Sequence, residues 1–185
     1  MNVYDFDGTI YDGDSTVDFY LYCIRRNPGV LFALPKQAFG TLLYMLKKID
    51  KTKFKEYFFS FLSRVDAMDL VEDFWDINDK KIFDWYMNQK EETDIIISAS
   101  PEFLLKPICS RLGIKHLLAS RVNDKTGVFQ GKNCRGEEKV VRLREAYGEC
   151  SIEQFYSDSR SDLPLALLAK EAFLVKKGQI GPWKK

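Results

Sequence analysis

The chain has 185 residues, 45% of them hydrophobic, enough for one compact domain or slightly more and apolar enough to bury a core, so it is not a disordered chain. Its 28 basic and 27 acidic side chains leave a net charge of +1, and no global field recruits nucleic acid or a strongly acidic partner. The scattered cysteines Cys23, Cys109, Cys134 and Cys150 form no C-x-x-C and point to a reduced cytoplasm; the opening MNVYDFDGTI lacks the basic-then-apolar order of a secretory signal.

Met1 to Tyr4 reads as a short strand running into Asp5-Phe6-Asp7-Gly8-Thr9. From Asp14 to Gln89 the period is helical, with no strand between helices. Asp14-Ser15 caps a helix carrying Val17, Leu21 and Ile24. The most apolar stretch, Val30 to Leu46, is broken by Pro35, Lys36, Gln37 and Gly40 short of the roughly 20 apolar residues a membrane span requires. Phe54, Tyr57, Phe58, Phe61, Leu62 and Val65 recur at helical spacing as one amphipathic helix with an aromatic stripe, and Val71, Phe74 and Trp75 mark another.

Asp94 to Ser98 is then a β-branched strand that feeds a helix, with Ser100 as N-cap and Pro101 at the first helical position; Phe103, Leu104, Ile108 and Leu112 follow before Gly113 stops it. Ile114 to Leu118 reads as a strand, and extended pieces around Val122 and Phe129 flank the turn Asn123 to Gly127. A helix from Gly136 to Tyr147, a strand from Gln154 to Ser157, a helix from Leu163 to Lys170 and a last strand from Ala172 to Val175 complete the chain. This alternation predicts an α/β fold: a parallel sheet covered by helices on both faces, with a helical cap inserted after the first strand. The expected division is a core of residues 1–13 and 90–185 and a cap of residues 14–89, with the ligand at the carboxyl ends of the strands.

Chemistry-bearing residues fall at those strand ends. Asp5 and Asp7, two apart, would share one strand face by alternation, where their repulsion favours an intervening cation; Mg²⁺ suits such oxygen ligands. Gly8 permits a tight turn and close backbone approach to a ligand, and Thr9 can hydrogen-bond the loop. Ser98 precedes a helix start that can hold phosphate, Lys139 opens a helix after a glycine-bearing loop, and Asp158 and Asp162 follow a buried strand. Taken singly, these also read as a cap neighbour, a solvated lysine and acids favoured at a helix start. His116 reads as packing, and the pairs Arg25-Arg26 and Lys47-Lys48 and the terminal Trp183-Lys184-Lys185 as solvated faces.

In this order the residues resemble the four motifs of the haloacid dehalogenase-like (HAD) hydrolase superfamily: Asp5-Phe6-Asp7-Gly8-Thr9 matches D-x-D-x-T, Ile95-Ile96-Ile97-Ser98 the second motif, Lys139 the third, and Asp158 with Asp162 the fourth. The helical insertion, Ser98-Ala99-Ser100-Pro101 and Ser157-Asp158-Ser159-Arg160-Ser161-Asp162-Leu163-Pro164 look like the phosphoserine-phosphatase-like subfamily. The resemblance implies a Rossmann-like core and a phosphomonoesterase in which Asp5 attacks phosphorus to form an aspartyl-phosphate and Asp7 is general acid and base. It also implies Mg²⁺ on the Asp5 carboxylate, the Asp7 carbonyl and Asp158. Ser98, Lys139 and Gly8 would hold the phosphoryl group, with Thr9 and Asp162 in support.

The subfamily's substrate-binding Glu is replaced by Asp14, and its cap arginine has no clear counterpart, though Lys51, Lys53 and Lys55 lie in that region; a lysine does not reproduce a bidentate fork. A larger or more apolar small-molecule ester than phosphoserine is therefore expected. The insertion also resembles relatives that dephosphorylate phosphatidylglycerophosphate, so a lipid phosphate, with peripheral membrane contact through the basic pairs, is the alternative substrate. A phosphotransferase would keep the same motifs. A dehalogenase would not need Asp7, and a binding module would be expected to lose a charged motif residue.

Overall fold

The computed structural model describes residues 1–183; the basic pair Lys184-Lys185 lies outside them. Six strands, β1 (Val3–Tyr4), β2 (Ile95–Pro101), β3 (His116–Ser120), β4 (Ile152–Ser157), β5 (Ala169–Lys176) and β6 (Gln179–Pro182), form one sheet in the order β3-β2-β1-β4-β5-β6. The first five are parallel and β6 runs antiparallel to β5. Val3 pairs with Ile95 on one side and Phe155 on the other, so the chain leaves β1 in both directions and a crevice opens at its carboxyl end.

Strand alternation divides the core. Tyr4, Ile96 and Tyr156 point into one apolar cluster, while Val3, Ile95, Ile97 and Phe155 point into another on the opposite face. Both faces are thus buried, as a parallel sheet requires. Helices α6 (Glu102–Arg111), α7 (Glu137–Tyr147) and α8 (Leu163–Ala166) alternate with the strands. Between β1 and β2 lie α1 (Ser15–Arg26), α2 (Leu34–Met45), α3 (Lys51–Phe58), α4 (Ala67–Asn78) and α5 (Asp84–Gln89), joined in part by 3-10 turns at Pro28–Ala33, Phe59–Arg64 and Asp79–Lys81. Trp75 of α4 fastens this segment to the rest: its indole N–H donates to the Leu104 carbonyl at 2.7 Å, and its ring meets Phe6 and Tyr11 edge-on.

Several expected boundaries move for identifiable reasons. The helix expected to continue to Val65 tightens into a 3-10 turn at Phe59, because Phe59, Ser60, Phe61 and Leu62 are all buried and an α-helix with one inward face cannot bury four consecutive residues. Strand β2 runs on to Pro101 past an irregularity after Ser98, and Pro101 itself precedes the helix. Pro101, not the expected Ser100, occupies the cap position, and the Ser100 hydroxyl donates to Asp7. The last helix stops at Ala166, and Ala169-Lys170 already belong to β5.

Strand β6 was not expected; Lys177 and Gly178, both with positive φ (49° and 75°), make the two-residue hairpin turn that returns it. The expected hairpin around Asn123 keeps a single bridge, Val122 to Phe129. The broken apolar stretch becomes α2, which Pro35 starts, and among the described residues no helix is long and apolar enough to cross a membrane.

Candidate active site

Strand β1 ends at Tyr4, so Asp5 and Asp7 leave it in a turn instead of sharing a strand face. The turn is closed by the Gly8 amide, which donates to the Tyr11 and Gly13 carbonyls at 2.9 Å each. Gly8 thus spends its amide within the turn. Its φ of +68° and missing side chain serve another purpose: a Cβ there would lie 2.5 Å from the Asp158 Oδ2. Thr9 completes this junction by accepting the Asp158 N–H on its hydroxyl at 2.8 Å.

Asp5, Asp7, Ser98, Lys139, Asp158 and Asp162 line one cavity of about 420 Å³. Lys139 enters from the first turn of α7, is 1% exposed, and sets its Nζ 2.8 Å from Asp5 Oδ1 and 2.6 Å from Asp162 Oδ2. Burial alone would lower the Lys139 pKa, but the two carboxylates outweigh it and hold the amine cationic. Burial raises Asp5, opposed by Lys139 and reinforced by Asp162. Asp162 also accepts the Ser157 hydroxyl at 2.9 Å, while its Oδ1 has no protein partner. Asp158 is pushed up to about 6, by desolvation first and then by the charges of Asp5 and Asp162.

Asp7 is held through both oxygens: the Ser15 N–H donates to one at 2.6 Å and the Ser100 hydroxyl to the other at 2.5 Å. Its carboxyl rises to about 7, because burial and then the Asp14 charge outweigh those hydrogen bonds. Ser98 is buried in β2 just before its irregularity, its hydroxyl accepting the Ser100 N–H at 3.1 Å.

Five carboxylates, Asp5, Asp7, Asp14, Asp158 and Asp162, and four cations, Lys51, Lys55, Arg135 and Lys139, line the cavity, and the buried Asp162 Oδ1 has no partner among the described residues. This excess of anionic oxygen fits a hard divalent cation. Among the described residues no three His, Cys, Asp or Glu side chains gather as a metal cage. A ligand set of two carboxylates and one backbone carbonyl does not require one.

Other polar residues complete the cavity. Ser100 links Asp7 to the Thr16 hydroxyl at 2.9 Å. Arg135 lines the wall and donates to the Ser161 hydroxyl at 3.1 Å. Lys55, one of three lysines noted in its region, donates to the Ala99 carbonyl at 2.8 Å and to Asn133 Oδ1 at 3.0 Å; burial lowers its pKa, against the carboxylates of Asp14, Asp7 and Asp5. Asp14 lines the same cavity while capping α1 through the Val17 N–H at 3.0 Å. His116 lies elsewhere, hydrogen-bonded through Nδ1 to the Tyr147 hydroxyl at 3.0 Å.

A doubly wound α/β enzyme, with its acids gathered where the strands diverge, is the class that this arrangement describes. A family model described as haloacid dehalogenase-like hydrolase matches residues 3–167, and the chain belongs to that family. It is similar to Protein CicA of Caulobacter vibrioides, 27% identical in an alignment 196 positions long that covers 91% of this chain and 82% of that protein. A histidinol-phosphatase of Neisseria meningitidis serogroup C is 24% identical in an alignment 204 positions long, covering 95% and 89%. Among solved structures, a protein of unknown function from Bordetella pertussis Tohama I shares the fold with a TM-score of 0.73 at 20% identity, over 93% of this chain and 87% of that one.

Proposed function

We propose that this hydrolase is a Mg²⁺-dependent phosphomonoesterase acting through an aspartyl-phosphate on Asp5. The observation that carries the reading is the Asp5–Lys139–Asp162 relay, with Lys139 buried between two carboxylates at the cavity floor. An Asp5 oxygen attacks phosphorus, the ester P–O bond breaks, and Asp7 protonates the departing oxygen. Water then attacks the phosphoryl group, Asp7 takes its proton, and the Asp5–phosphorus bond breaks to release phosphate. The rise of Asp7 to about 7 suits a group that must give a proton and then take one. Lys139 and Ser98 hold phosphoryl oxygens, and Asp162 positions Lys139. Asp5, the Asp7 carbonyl and Asp158 would hold Mg²⁺, which supplies charge compensation between carboxylate and phosphate.

Residues 14–89 act as the cap that reads the leaving group. Val17, Phe54, Phe58 and Phe59 in the cavity wall support an apolar leaving group over phosphoserine, and a lipid phosphate belongs to that class. Asp14 in the same wall favours a second reading, an amine-bearing aromatic ester such as the substrate in the histidinol-phosphatase relative's name.

The test is a phosphate-release screen with and without Mg²⁺ over an aryl phosphate, phosphoserine, histidinol phosphate and phosphatidylglycerophosphate in detergent. Mg²⁺-dependent release from the aryl phosphate is expected, and Asp5→Asn should abolish it. Wild-type turnover by that variant would remove the covalent mechanism; phosphate appearing on an added alcohol instead of in water would make the enzyme a transferase.

A further inference from the structure

Between Asp18 and Asp50 the chain carries no acidic residue but holds Arg25, Arg26, Lys36, Lys47 and Lys48, a stretch of net charge +5 in a protein whose total is +1. Of these five, Arg26 alone lies within 4.0 Å of a carboxylate among the described residues, at 3.9 Å from Asp73. The same stretch presents the largest concentration of exposed apolar side chains: Phe32 is 76% and Met45 74% exposed, and Leu34, Phe39, Leu42 and Leu46 are exposed beside them.

Helix α2 is anchored through a narrow strip. Its single buried residue is Gly40, seated so tightly on Tyr57 that a Cβ would meet the Tyr57 Cβ at 2.2 Å. Water disfavours such a surface, and a concentration of exposed apolar side chains flanked by cations marks an interaction site.

We propose that α2, with the 3-10 turn Pro28–Ala33 before it, is a docking face for an anionic lipid surface. Twelve helical residues span about 18 Å, too short to cross a bilayer, but exposed apolar side chains with cations before, within and after the helix suit a helix lying in the headgroup plane. The unpaired cations select anionic headgroups. A second copy of the chain fits poorly, because a two-fold contact sets this face against itself and opposes like charges. The face also continues into the cavity: Tyr44 of α2 stacks on Phe54 with ring centroids 4.8 Å apart, and Phe54 lines the catalytic wall. Docking would hold the cavity mouth at the lipid interface, whichever phosphate ester it takes.

The test is co-sedimentation of the full chain with phosphatidylcholine vesicles, with and without phosphatidylglycerol, at low and high salt. Binding to the anionic vesicles, weak binding to the neutral ones and loss of binding in high salt are expected. Phe32→Ser/Met45→Ser and Lys47→Glu/Lys48→Glu should each weaken binding by about tenfold or more while keeping the wild-type circular dichroism spectrum. No binding to anionic vesicles, binding unchanged in both variants, or a solution dimer that these substitutions dissociate would overturn the proposal. None of these readouts uses phosphatase activity, so failure here is distinguishable from failure of the proposed reaction.

Discussion

Gly8 and Asp158 approach so closely that a single methyl group on Gly8 would lie 2.5 Å from the Asp158 carboxylate oxygen and 2.8 Å from its carbon. Two segments 150 residues apart in the chain are thereby locked beside the cavity that Asp158 lines, and the lock depends on glycine both for space and for a φ of +68°. Gly8→Ala should displace Asp158 and cost at least about tenfold in turnover, with on the order of 1 kcal/mol of backbone strain. Mg²⁺ titration of phosphate release and thermal unfolding measure both effects; a variant with wild-type turnover and metal response would mean that Asp158 has no part in the site.

The proposed roles of Asp7 and Asp158 separate in a titration. Asp7 acts on protons through its side chain and would meet the metal through its backbone, so Asp7→Asn should slow turnover by roughly 100-fold or more with little change in Mg²⁺ affinity. Asp158→Ala should weaken Mg²⁺ affinity directly. Equal affinity losses in the two variants would show that the roles are exchanged.

Asp94 is buried and accepts the Glu91 N–H at 2.9 Å on one oxygen. Burial pushes its carboxyl up from 3.8 to about 6. The folded state therefore binds the proton more tightly than the unfolded chain, and stability present below about pH 4 is lost as pH rises toward about 6. Asp94→Asn should remove this part of the pH dependence, on the order of 2 kcal/mol between pH about 4 and about 7. Denaturant unfolding at both pH values checks it, and an unchanged slope in the variant would reject it.

Lys47 ends α2 in the left-handed region at φ 56°, where a side chain is disfavoured and glycine is not. Lys47→Gly should stabilise the protein by about 0.5 to 1 kcal/mol, since relief of strain offsets the added freedom of the unfolded chain. Chemical denaturation reads the difference, and a loss of stability would show that the lysine side chain makes a compensating contact.

Much of the architecture was legible because it is written locally. The β-branched run ending at Ser98, the helical period from Asp14 to Gln89, the Asp14 cap and the Gly148 stop each depend on residues a few positions apart, and each element formed close to its expected place. Errors arose where packing overrode local preference. Phe59 to Leu62 tightened because all four residues face inward, and Lys177-Gly178 turned a hairpin without the usual Asn-Gly signal.

The amino-acid sequence by itself determined which residues could do chemistry and that they stand in order at strand ends, because motif spacing and hydropathy period are properties of neighbouring positions. Only the tertiary structure decided their relations across the chain. Ser100, 93 positions from Asp7, grips its carboxylate, and Lys139 lies between Asp5 and Asp162. The Gly8 amide closes its turn on the Tyr11 and Gly13 carbonyls, and Lys55 and Arg135 enter the cavity wall. Likewise, hydropathy marked α2 as apolar, but only packing determined that its apolar residues face outward. The physical reason is that strand order brings distant segments together, and a side chain's partners, burial and charge follow from that order, not from its neighbours in the chain.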